Sequence, residues 1–147
     1  MAERLNSYLA FADNDYLFFR QVYDTGNKGS ALAALGQSIC ERYLKHVIDA
    51  YITECDTTRI LQTHSLKALR RFMQEYIPEF ACKWKIILQA DGYYFSTRHP
   101  GDTAFLVAKE DVDECWEAVE ETRTSVQAFI KTHQHKGTPI DEERNNG

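Results

Sequence analysis

Apolar residues return every three or four positions through most of this chain, and the breaks in that rhythm divide it into helices. Leu5, Tyr8, Leu9, Ala12, Tyr16, Phe19 and Val22 trace one stripe, which predicts an amphipathic helix over residues 6–24. Gly26 and Gly29 around Asn27 and Lys28 then supply the backbone freedom of a tight turn. A longer stripe follows over residues 30–53, built from Leu32, Leu35, Ile39, Cys40, Tyr43, Leu44, Val47, Ile48 and Tyr51. Gln37, Glu41, Arg42, Lys45 and Asp49 fall off that stripe and are expected to face elsewhere. Gly36 lies inside it, where glycine costs about 1 kcal/mol relative to alanine, so another helix is expected to approach closely there.

Residues 54–62 are polar and without period, which predicts a loop ending at Thr63 as cap of the next helix. Leu66, Leu69, Met73, Tyr76 and Ile77 carry that helix as far as Pro78, which lacks the amide donor needed to continue it. Phe80, Trp84, Ile87 and Leu88 make a further short helix closed by Gly92 as a left-handed cap. Residues 93–108 form the longest non-helical stretch. Asp111 then opens a last amphipathic pattern with Val112, Cys115, Trp116, Val119, Val126, Phe129 and Ile130 on one face. Long amphipathic segments joined by short connections predict an all-α fold, an up-and-down antiparallel bundle of four or five helices. The bundle is expected to be one domain over residues 1–132, followed by a disordered polar tail over 133–147.

With 147 residues and 44% hydrophobic content, one core is the expected size. The 22 acidic residues against 17 basic ones give a formal net charge of -5, so a broad grip on nucleic-acid phosphates is not expected. Lys67, Arg70, Arg71, Lys83 and Lys85 are the one basic concentration, at a spacing typical of solvated helix faces. No run approaches the roughly 20 apolar residues of a membrane span, and residues 1–10 lack the pattern of a signal peptide, so a cytoplasmic location is expected. Cys40, Cys55, Cys82 and Cys115 are scattered, which suits reduced thiols, and Cys40 and Cys115 sit on apolar stripes. His133-Gln134-His135 alone does not make a metal site, no catalytic grouping stands out, and no cofactor is expected.

The two polar breaks carry the chemistry. Gln37 to Lys45, then Thr63-His64-Ser65-Leu66, then Tyr94 with Arg98-His99-Pro100-Gly101, then an amphipathic last helix, together resemble the HEPN domain family over residues 6–131. The resemblance implies a helical bundle that dimerises and, in many members, works beside a minimal nucleotidyltransferase as a nucleotide- or substrate-binding partner. Another branch comprises metal-independent, toxin-like ribonucleases with an R-x4-6-H motif near the start of a late helix. Neither Arg98 nor Arg123 is followed by a histidine at that distance, and His99 stands where the non-catalytic branch has tyrosine. Arg59 to His64 has the R-x4-H spacing but precedes the third helix. The chain is therefore placed with the non-catalytic branch, and the expected ligand-binding residues are Arg98, His64, His99, Tyr94 and Tyr93.

Each has a purely structural alternative. Arg98 can fork onto phosphate oxygens or pair with Asp91, Asp102 or Glu110. His64 can contact a ligand or lock the start of its helix. Tyr93 and Tyr94 can stack on a base or pack in the core. A structural homodimeric interaction domain and an RNA-cleaving enzyme are the competing functional readings.

Overall fold

In the computed structural model, which describes residues 7–26, 28–93 and 107–135, the chain is an all-α helical bundle with no strand among those residues. The long helices are α1 (Tyr8–Asp24), α2 (Ser30–Tyr51), α3 (Leu66–Tyr76) and α5 (Lys109–His135). Between α3 and α5 lies the short α4 (Trp84–Ile87), extended by a 3-10 turn at Leu88–Ala90, and another such turn, Ile60–Gln62, precedes α3.

The helices begin where side-chain acceptors are available. Ser7 accepts from the Ala10 amide and starts α1, two residues later than the stripe suggests. Ser65, rather than Thr63, caps α3 by accepting from Ala68, while Thr63 Oγ1 takes the Ser65 amide. Asp111 returns its carboxylate to the Ala108 amide, so α5 starts at Lys109, ahead of the expected position. Gly26 and Gly92 have φ of +86° and +93°, the left-handed conformation that ends α1 and the α4 segment.

α2 is the central helix, packed most extensively against α1 and α5. Gly36 lies beside Phe19 and Cys115, whereas Tyr43 bonds to Asp13 and Tyr51 packs on Phe129. Hence α1 runs opposite to α2, and α5 runs in the same direction as α2. Trp116 of α5 lies nearly parallel to the rings of Tyr16, Phe19 and Tyr23, with centroids 5.1–5.9 Å away. The close approach expected at Gly36 is present: a Cβ built there would stand 3.1 Å from Phe19 Cε2 and 3.2 Å from Cys115 Cβ.

Most polar groups inside this layer are matched, although Arg123 Nε is buried without a hydrogen-bond partner among the described residues. Tyr43 is fully buried and donates to Asp13 at 2.6 Å, and Arg42 pairs with Asp15. Arg123 stacks its guanidinium 4.2 Å from the Tyr16 ring centroid. Burial pushes the Tyr43 hydroxyl well above its ordinary range and the Cys40 thiol up to about 12, which keeps both neutral. At the far end His133 Nδ1 lies 2.9 Å from the Phe129 carbonyl and its ring packs on Phe129 and Tyr51. Those contacts carry α5 beyond residue 132, where periodicity alone stops.

Replacing Gly36 with valine should overpack this contact and lower stability by about 2 kcal/mol, because Cys115 Cβ is fixed to a helix backbone and cannot yield. The check is urea denaturation, where a lower midpoint at unchanged slope is expected and an unchanged midpoint would contradict the packing. Alkali should act through the neutral groups. A hydroxyl or thiol whose pKa is raised by folding ionises first in the unfolded chain, so stability should hold below pH about 9 and fall as pH climbs past about 10. Tyr43→Phe should flatten the upper part of that fall, as followed by circular dichroism across pH.

Candidate functional site

Gln37, Glu41 and Lys45 stand four residues apart, so they line up along one edge of α2. The hydrophobic stripe suggests that this edge meets solvent, but all three side chains are buried, with 0%, 3% and 6% of their residue surface exposed. The cause is the 52–65 connection, which returns along α2 by about 20 Å before α3 begins and covers that edge.

Three buried polar side chains need partners, and they find them in one another and in His64. Gln37 Nε2 donates to Glu41 Oε2 at 3.1 Å and to the His64 carbonyl at 2.7 Å. Lys45 Nζ lies 3.5 Å from Glu41 Oε1, and His64 Nδ1 lies 3.1 Å from the same oxygen. The carboxylate side chain is 4% exposed and the imidazole 44% exposed. Glu41 is thus an interior anchor and His64 the half-exposed group it holds. A carboxylate at this distance accepts a hydrogen bond from Nδ1–H and so fixes the ring's tautomer and plane.

The backbone beside His64 is held as firmly. Asp91, just after the turn that follows α4, accepts from the Leu66 amide at 2.9 Å and from the Lys67 amide at 3.3 Å. With Thr63 on Ser65 and Ser65 on Ala68, every amide from residue 65 to 68 donates to a side chain of this protein. Capping α3 is therefore the work of Ser65 and Asp91, and the position of the His64 ring is set separately by Glu41. Asp91 also brings the start of the second polar break against the first.

Of the residues singled out from sequence, His64 is in this cluster. Tyr93 follows Gly92 and is 8% exposed, in contact with the core, its hydroxyl pushed up by burial and by the nearby Asp111 carboxylate. Tyr94, Arg98 and His99 lie outside the described residues. Arg59 and Thr63 help line an open groove of about 570 Å³ with Ile60, Gln62 and Phe72. Among the described residues no group of three or more His, Cys, Asp or Glu side chains is placed to hold a metal. Glu41, Gln37, Lys45 and Asp91 were not singled out, although the four-residue spacing of the first three is visible in the sequence.

Comparison with family models, curated proteins and solved structures returns no match. The chemistry of this end of the bundle therefore rests on its own geometry.

Removing the carboxylate should expose how far the cluster depends on it. Glu41→Ala leaves Lys45 buried without a counter-charge and should cost about 3 kcal/mol, of which Lys45→Met in the same chain should restore more than half. Paired urea curves measure both values, and additive losses in the double variant would contradict a buried pair.

Proposed function

We propose that the protein is a helical binding module that takes a nucleotide-like, phosphate-bearing ligand at the His64 end of the bundle. Its HEPN-like motifs extend that reading to a partnership with a minimal nucleotidyltransferase and to self-association. The observation that carries it is the hold on His64: a buried carboxylate on Nδ1 and a buried amide on its carbonyl, from two successive turns of α2. Burying Glu41 and Lys45 is expensive, and an apolar pair of similar volume would serve stability as well or better. A helix start already capped by Ser65 and Asp91 does not need it. The expense is explained if the imidazole must stand in one orientation for a ligand. Arg59, in the groove that also contains Thr63, is a guanidinium of the kind that takes such oxygens in pairs. Exposed Phe11, Leu17 and Phe18 on α1 support self-association.

A second reading draws on the same carboxylate–imidazole pair. His64 oriented by Glu41 could transfer a proton during RNA cleavage, with Arg59 stabilising the charged transition state.

Calorimetric titration with ATP and GTP should give saturable binding that weakens at least about tenfold in His64→Ala and in Arg98→Ala. Flat titrations at millimolar nucleotide would end the ligand reading. Incubation with single-stranded and structured RNA should leave the RNA intact, and cleavage lost in both His64→Ala and Glu41→Gln would replace the binding reading with the catalytic one.

A further inference from the structure

Charge is unevenly shared along the chain. Residues 57–90 hold six basic side chains, Arg59, Lys67, Arg70, Arg71, Lys83 and Lys85, against the two acids Glu75 and Glu79, within a chain of net charge -5. All six are exposed. None takes part in an ion pair within 4.0 Å among the described residues; elsewhere Arg20, Lys28, Arg42 and Lys45 each meet a carboxylate, and Lys109, Arg123 and Lys131 of α5 do not. A surplus of unmatched cations on an acidic protein is a directed field, not general solubility charge.

The shape of the region narrows what that field would receive. α3 buries Leu66, Leu69 and Met73 and presents Lys67, Arg70, Arg71 and Gln74 on the opposite side, a basic ridge spanning about 10 Å. A groove runs along each flank of the ridge. Phe72 and Ile60 line one, of about 570 Å³. Trp84, Phe80 and Pro78 line the other, of about 440 Å³. Phe72 and Trp84 are each partly exposed. Cations on a ridge with aromatic rings in the flanking grooves match a strand that turns phosphates to one side and unpaired bases to the other. A duplex keeps its bases stacked inside and gives such grooves nothing to take, and an anionic membrane surface has no flat rings for them.

We infer that the exposed face of α3 docks single-stranded nucleic acid, with Lys67, Arg70, Arg71 and Arg59 on phosphates and the two aromatic grooves receiving bases. This surface lies beside His64 and shares Arg59 and one groove with the reading above, but Lys67, Arg70, Arg71 and the Trp84 groove stand apart from it, so it holds whether or not His64 binds a nucleotide. Overall acidity limits the affinity and makes it strongly dependent on salt.

The test is fluorescence anisotropy with a labelled oligouridylate of about 12 nucleotides, titrated with the full chain between about 50 and 200 mM salt. Four phosphate contacts would weaken binding roughly 50-fold over that range, from a slope near -0.7 per contact. Arg70→Ala/Arg71→Ala, on exposed helix positions that tolerate alanine, should make the slope shallower by about 1.4 while the far-ultraviolet circular dichroism is unchanged. His64→Ala should keep the wild-type slope, which separates this surface from the ligand reading above. No saturable signal up to about 100 μM protein at the lowest salt would overturn the proposal, given that nonspecific affinities lie in that range. A slope untouched by the double substitution would do so too. Tighter binding to a matched RNA duplex, or to phosphatidylserine-containing vesicles, would assign the face to a different partner.

Discussion

The constraint on which the rest of the molecule depends is the enclosure of α2. Its neighbours are α1 and α5 on one side and the returning 52–65 connection with α3 on the other. Where the connection covers it, α2 cannot leave its Gln37, Glu41 and Lys45 edge to water. Apolar closure is reached through Gly36, where the absence of a side chain lets Phe19 and Cys115 come in. Polar closure is reached through Gln37, Glu41 and Lys45, which satisfy one another and extend to His64. A group at the surface is thereby tied to the middle of the fold.

That tie divides labour within the bundle. The α1–α2–α5 layer carries the aromatic stack and the matched pairs Arg42–Asp15 and Lys28–Asp113. The α3 side carries Lys67, Arg70 and Arg71, exposed and without a carboxylate within 4.0 Å among the described residues. Rigid packing on one side of α2 thus stands opposite a face of α3 that keeps its cations exposed. Neutral thiols at Cys40 and Cys115, both kept that way by burial, belong to the scaffold and not to any reactive site.

The helices were legible because their apolar period is long and regular: Leu32 to Tyr51 spans five turns with little interruption, and Pro78 and Gly92 mark ends by backbone chemistry alone. Helix starts were less legible, since Thr63 and Ser65 are both good caps and only the position of the chain decides between them. The polar seam was misjudged for a physical reason. An edge of Gln, Glu and Lys at four-residue spacing reads as solvated, and what buries it is a connection without any period of its own. His64 could be named from sequence, but the carboxylate that orients it comes from 23 residues away, a distance that no local pattern spans. Of the second polar break, Tyr93 is a buried side chain, and the residues expected to grip an anion there fall outside those described.

Asp91 gives the α3 terminus a built-in competitor. A helix start with open amides is a general trap for small anions, but here a carboxylate on the same chain already occupies it, at an effective concentration that free phosphate or sulfate in solution cannot match. Ambient anions are turned away from the backbone, and what this end still presents to solvent is side chains, which differ from one protein to the next. The backbone at this end of the bundle is thus closed to the commonest anions by the chain itself.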